Sequence, residues 1–245
     1  MAAIKKIKLY RFNELEKGVQ QKLVEQEQDI DMYQGWEENI KGDLKYFLNL
    51  QNISFQNLEY TGFYSQGDGA RVTCDIYGDA SIGFLKSNNI WDEKEFKEKV
   101  EKNCPMFTPF ADEGSFWDLC RKETPNLIND ISRYVDYEKG VGIDYLQVTM
   151  APINSWYYHE NTLISSVDIG GNDDFEDEEV MANIDKLESQ FAYYVKILSK
   201  FTYRLLMKEY EGYMDEDNIR EYLESNGYVY TKYGVYLENE IVPDE

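Results

Sequence analysis

The sequence predicts an α+β protein: an antiparallel sheet built from hairpins, packed with several helices that include one long helix near 178–210. Three observations predict it. Alternating apolar and polar residues occur as two pairs of runs joined by turn-forming residues, at 58–77 and 143–169. Between these pairs lie segments whose apolar residues recur every three or four positions. No βαβ unit repeats, so a parallel sheet is not expected.

In chain order, Ile4, Ile7 and Leu9 interleave with lysines ahead of Tyr10 and Phe12 and read as a short strand. Asn13 with Glu16 has capping-box spacing, and Leu15, Val19 and Leu23 carry a helix to about Gln28. Ile30, Tyr33, Trp36, Ile40, Leu44 and Phe47 continue helical spacing, with Gly35 or Gly42 as the expected break. Leu58 to Tyr77 reads as a hairpin turning at Gly67-Asp68-Gly69, where positive φ angles come easily. Asp92 caps a further helix, and Pro105, Pro109 and Pro125 punctuate a mixed stretch to about Tyr137. A second hairpin runs from Ile143 to Ile169 around the loop Asn154 to His159. From Val180 to Leu205, apolar residues recur at spacings of three and four and predict a helix that, continued to about Tyr210, is ~45 Å long at ~1.5 Å per residue. Asp215 or Asp217 caps a short helix that Gly227 closes. Tyr228 to Leu237 makes a small final hairpin. Without an internal repeat or linker, one domain, 1–245, is expected; a subdivision into 1–140 and 141–245 stays open.

The formal charge is −22, from 47 acids against 25 lysines and arginines. Such a field repels phosphate, so neither direct nucleic-acid binding nor docking on an anionic membrane is expected. At 42% apolar and 15% aromatic, the chain is too hydrophobic for a disordered acidic tail. Cys74, Cys104 and Cys120 form neither a CxxC pair nor an even disulfide framework, which points to a reducing, intracellular setting. The first twelve residues lack a signal-peptide core, and no run approaches the ~18 apolar residues of a membrane span.

The inventory for catalysis is thin. His159 is the single histidine, and no GxSxG-like nucleophile context accompanies it. Zinc would require His159 and the scattered cysteines to converge. A calcium loop read from Asp168 places Gly170 at its third position and Asp173 where glycine is wanted. Carboxylates such as Asp68, Asp75, Asp144 and Asp168 leave a metal-dependent nuclease or nucleotide hydrolase open. Ser65 to Ala70 lacks the ending of a phosphate-binding loop; it reads as a turn with a hydrogen-bonding Asp68, or as a recognition loop presenting Gln66 and Asp68. No cofactor and no bound metal are expected.

Tyr10-Arg11-Phe12-Asn13-Glu14-Leu15, the Trp36 segment and Gly62-Phe63-Tyr64-Ser65-Gln66-Gly67-Asp68-Gly69-Ala70 resemble a family of uncharacterised bacteriophage proteins with a "Y.F.EL" start and an "F.SQGDGA" hairpin. Asn226-Gly227-Tyr228 to Tyr233-Gly234 is similar to their usual ending. The resemblance is specific over about 7–78. It departs at Arg71-Val72-Thr73, where a large aromatic is common. It implies a phage origin and a place in the cytoplasm of an infected bacterial host, and it carries over no functional residue.

Charge and resemblance together lead us to expect a binding protein, not an enzyme. The expected role is counter-defence: inhibition of a basic, nucleic-acid-targeting host protein, of anti-CRISPR or anti-restriction type, by an acidic surface that imitates DNA. The partner would be a host nuclease or its nucleic-acid-binding subunit. Candidate acidic contacts are Asp173, Asp174, Glu176, Asp177, Glu178, Glu179, Asp215, Glu216 and Asp217; candidate recognition-loop residues are Gln66, Asp68, Trp156, Tyr157 and Tyr158. A nucleotide-binding sponge, with a pocket lined by Arg71, Arg133 or lysines and with tyrosine stacking, is a further alternative. The long helix could also bury its stripe against a second copy, so a homodimer stays open.

Overall fold

The computed structural model describes residues 7–29, 35–51, 53–76, 93–108, 143–153, 156–171 and 178–237. The fold is α+β. Its elements are β1 (Tyr10–Arg11), α1 (Lys17–Asp29), α2 (Glu38–Asn49), β2 (Ser54–Tyr60), β3 (Ala70–Ile76), α3 (Glu93–Asn103), β4 (Ile143–Pro152), β5 (Leu163–Gly171), α4 (Glu178–Met214), α5 (Glu216–Ser225) and β6 (Val229–Tyr230). They fall into two compact units, and the boundaries are not at 140/141. Unit 1 joins 1–36 to 207–245, and unit 2 is 37–206. The division follows strand pairing: β1 lies antiparallel to β6, with Tyr10 opposite Tyr230 and Arg11 opposite Val229.

Unit 2 contains a four-stranded antiparallel sheet in the order β2-β3-β4-β5. Both expected hairpins are present, β2/β3 and β4/β5. The first differs in its connection. It is a nine-residue loop, 61–69, in which Gly67 alone takes a positive φ, +96°. The tight turn expected at Gly67-Asp68-Gly69 is therefore corrected to a broad loop pinched at its neck. There Thr61 N–H donates to the Gly69 carbonyl at 3.0 Å, and Gly69 N–H to Thr61 Oγ1 at 3.1 Å.

Strand β3 is buried along its whole length. Ala70, Val72, Cys74 and Ile76 alternate with Arg71, Thr73 and Asp75, so a polar row is buried as well as an apolar one. β4 pairs with β3 only from Cys74 to Ile76. Continued in the same register, Pro152 would stand opposite Val72, and proline has no N–H to complete a ladder pair. The strands part there. The Val72 N–H is taken instead by Ser199 Oγ of α4 at 2.9 Å, while the Ser199 hydroxyl donates to the Val195 carbonyl at 2.8 Å. Helix α4 thus closes the sheet where β4 leaves it.

The 37 residues of α4 extend the expected helix by one turn and give about 55 Å at 1.5 Å per residue. Ile184, Phe191, Val195 and Leu198 are buried, at the helical spacing seen in the sequence. Phe47 of α2 stacks on Phe107 with ring centroids 5.1 Å apart, and Phe107 meets Phe201 at 5.8 Å. Tyr194 donates to Gln51 Oε1 at 2.9 Å, and Gln51 Nε2 donates to the Phe47 carbonyl at 3.0 Å, so these buried polar groups are satisfied. Cys74 and Cys104 are buried free thiols. Burial pushes both pKa values up, that of Cys104 to about 12, so they remain protonated.

Unit 1 is centred on Phe12, Leu15, Leu23, Val24, Ile219, Leu223 and Tyr230. The first capping arrangement sits earlier than Asn13/Glu16: Arg11 N–H donates to the Glu14 carboxylate at 2.8 Å, residues 12–14 form a 3₁₀ turn, and α1 begins at Lys17. Asp92, Pro109, Pro125 and the strand residue Ile4 lie outside the described residues. The break before α2 falls at the turn opened by Gly35. Asp215 caps α5 as expected; its Oδ1 accepts from the N–H groups of Asp217 and Asn218, both at 3.0 Å. Among the described residues no helix is long and apolar enough to cross a membrane.

Two measurements check this architecture. Asp215→Ala removes the side-chain cap and is expected to destabilise unit 1 by about 1 kcal/mol in denaturant titration. Burial, then the field of Glu27, pushes Tyr230 up to about 12. A pKa raised on folding contributes stability that is complete below the unfolded value near 10 and is lost as pH climbs through the folded one. Alkaline unfolding followed by tyrosinate absorbance should therefore be concentrated between about pH 10 and 12, and Tyr230→Phe should weaken that dependence.

Candidate functional site

The residues that carried the sequence argument are spread over both units. In unit 2, the 61–69 loop lies beside the β4–β5 connection. Their contact is steric at Gly69: a Cβ placed there would come within 2.9 Å of His159 Cδ2 and 3.1 Å of His159 Cα. Only glycine lets the two loops approach this closely. His159 Nδ1 accepts from Asn161 N–H at 3.2 Å and also lies 3.1 Å from a Glu160 carboxylate oxygen. The first contact serves a neutral ring and the second a charged one.

Arg71 anchors the same junction from below. It is 2% exposed. Its Nε donates to Glu59 Oε2 at 2.7 Å, its Nη1 to the Tyr157 carbonyl at 3.1 Å, and its guanidinium lies 4.7 Å from the centre of the Tyr158 ring. A buried arginine needs such a set of partners, because desolvating the charge is otherwise prohibitive. Arg71 is thus committed internally to packing, which corrects its expected place in a nucleotide pocket; Arg133 lies outside the described residues.

On the outer side of the junction, Asp68 behaves as the turn reading expects. Its Oδ2 accepts from Ser65 N–H at 2.6 Å, and its own N–H donates to the Ser65 carbonyl at 3.2 Å. Gln66 is exposed at the tip. Tyr60, Phe63 and Tyr203 stack in a column with centroids 6.0 and 5.7 Å apart, and the Tyr203 hydroxyl donates to the Gly62 carbonyl at 3.2 Å. This ties the loop to α4. Beside Gln66 the accessible side chains include large rings: Trp156 is 83% exposed, Tyr64 73% and Tyr157 61%, while Tyr158 turns inward onto Arg71. Glu59, Tyr203 and Ser199, which fix this region, were not singled out from the sequence; no local spacing links them to it.

The acidic candidates divide between the units, 173–179 in unit 2 and 215–217 in unit 1. Asp173, Asp174, Glu176 and Asp177 lie outside the described residues. Glu178 is exposed as the first residue of α4, and Glu179 follows it in the helix. Asp215 is occupied as the cap of α5. Glu216 lies 3.8 Å from Arg220 and accepts from Gln21 at 3.5 Å. Asp217, Glu221 and Glu224 are exposed at spacings of four and three, opposite the buried pair Ile219 and Leu223. They form one acidic stripe along α5.

Among the described residues, no three His, Cys, Asp or Glu side chains gather as a metal site would require. Of the carboxylates considered for metal chemistry, Asp68 closes a turn, and buried Asp75 accepts from Gln56 Nε2 at 2.9 Å. Asp168 is exposed on β5. Comparison with family models, curated proteins and solved structures returned no match.

Gly69→Ala tests the loop junction. The added methyl should displace residues 156–162 and destabilise unit 2 by about 1–3 kcal/mol, as overpacking does. His159→Ala in the same chain should recover only part of that loss, because the His159 Cα is itself too close. Thermal unfolding of the two variants measures both effects.

Proposed function

We propose that the chain is a phage-encoded acidic counter-defence protein that binds and inhibits a basic, nucleic-acid-targeting host protein in the cytoplasm of the infected cell. The observation that carries this reading is the exposed stripe Asp217, Glu221 and Glu224, set in a chain of net charge −22. A row of carboxylates along one helix face offers a basic cleft the charge it would otherwise take from phosphates, and it steers the encounter over a distance set by the salt concentration. The rigid backbone of α5, capped at Asp215 and held by Ile219 and Leu223, fixes the spacing of that row. Exposed aromatics such as Trp156 and Tyr157 suit a second contact, since large amphipathic rings bury much area for little lost entropy.

The direct check uses the full chain as bait in lysate of a phage-susceptible bacterium. A basic nucleic-acid-binding protein should be captured at low salt and released as salt rises. Combining Asp217→Asn with Glu221→Lys and Glu224→Lys should weaken capture by about tenfold or more. Asn is chosen at 217 because a lysine in the first turn would oppose the helix dipole. Unchanged capture by this folded variant would remove the acidic-surface reading.

A further inference from the structure

Unit 1 holds an open groove of about 850 Å³ between α1, α5 and the segment that follows β6. Five tyrosines line it: Tyr222, Tyr228, Tyr230, Tyr233 and Tyr236. Their rings stand at steep angles. Tyr228 meets Tyr236 at 76° with centroids 5.2 Å apart, and Tyr222 at 69° and 6.2 Å; Tyr230 meets Tyr236 at 58° and 6.0 Å. Tyr228 and Tyr236 therefore make a corner of two nearly perpendicular aromatic rings. The Tyr222 and Tyr228 hydroxyls lie 3.2 Å apart. That hydrogen bond first, then burial and the charge of neighbours including Glu27, pushes Tyr228 up to about 12, so it stays a neutral phenol.

Several charges face this groove. Glu27 and Lys22 are in its lining, and Glu27 is close enough to Tyr228 and Tyr230 for its charge to raise both phenols. Lys232 Nζ lies 4.7 Å from the centre of the Tyr233 ring, so one tyrosine already takes an ammonium group from the chain itself. Electron-rich ring faces attract cations, and a guanidinium, planar and weakly hydrated, stacks on them better than an ammonium does. A groove of this volume exceeds a single side chain and suits an extended segment.

We propose that this groove receives an extended segment of a basic partner protein and seats one arginine side chain in the corner of Tyr228 and Tyr236. The proposal rests on the acidic-binding reading for the nature of the partner. The chain's net charge of −22, with Glu27 in the lining, supplies the attraction, and the aromatic corner supplies the preference for a guanidinium over other groups of the same size.

The test is calorimetric titration of the full chain with two blocked hexapeptides. One alternates glycine and arginine; the other replaces arginine with citrulline, its neutral isostere. The arginine peptide should bind at least about fivefold more tightly. Because a highly acidic chain attracts any cationic peptide, the deciding variant is the charge-neutral Tyr236→Leu, in which most of that preference should disappear. Should this variant unfold, ring resonances of the wild-type chain decide: shifts confined to the groove tyrosines support the proposal, and shifts elsewhere overturn it. Equal binding of the two peptides, or an undiminished preference in folded Tyr236→Leu, also overturns it. These results are independent of the α5 stripe. Loss of stripe-dependent capture would remove the acidic-surface reading while leaving an arginine preference of the groove standing.

Discussion

Complete burial of β3 is the constraint on which unit 2 depends. A strand with both faces covered must satisfy every polar group it carries, and β3 carries Arg71, Thr73 and Asp75 on one face. Each has a partner. Glu59 and the Tyr157 carbonyl take Arg71, the Thr73 hydroxyl donates to the Asn57 carbonyl at 3.3 Å, and Gln56 donates to Asp75. The backbone obeys the same rule at Val72, where Ser199 substitutes for a strand. Removing any of these partners leaves a polar group in a place that water does not reach, so β2, α4 and the 156–162 loop are fixed together by one requirement.

That requirement also governs what the surface can offer. The loop carrying Gln66 and Asp68 is pinned at its neck by Thr61 and Gly69, at its aromatic column by Tyr203, and at its side by His159. Its geometry across the turn belongs to the fold, with Asp68 spent on Ser65. The side chains left outward are Gln66, Tyr64, Trp156 and Tyr157. Unit 1 presents a different chemistry, carboxylates and phenols, on a framework of short elements joined across the two ends of the chain.

The sequence revealed what is periodic and local. Both hairpins, α4 and the Asp215 cap were legible because alternation, three-to-four spacing and a capping carboxylate each act within a few residues. The acidic stripe was partly legible, since Asp217, Glu221 and Glu224 are separated by helical intervals. Arg71 was not. Alternation in Ala70 to Ile76 says that arginine faces away from Val72, and it cannot say whether that other face meets water. The β1–β6 pairing was hidden for another reason: two-residue strands carry no pattern, and their partners are at opposite ends of the chain. The length of the 61–69 loop was misjudged because Gly67-Asp68-Gly69 suffices for a tight turn, while the anchoring of Phe63 to Tyr203 is a long-range event.

The joining of the two ends has a consequence for how the molecule is made. Arg220 hydrogen-bonds Gln21 across 199 positions, and the core formed by Leu23 and Val24 is completed only by Ile219, Leu223 and Tyr230. On a ribosome working at roughly 5–20 residues per second, α1 emerges some 10–40 s before the helix that covers it. Unit 2, contiguous in the chain, can collapse in the interval. Helix α1 meanwhile keeps an uncovered apolar face, so the core of unit 1 closes only after the whole of unit 2 has been made.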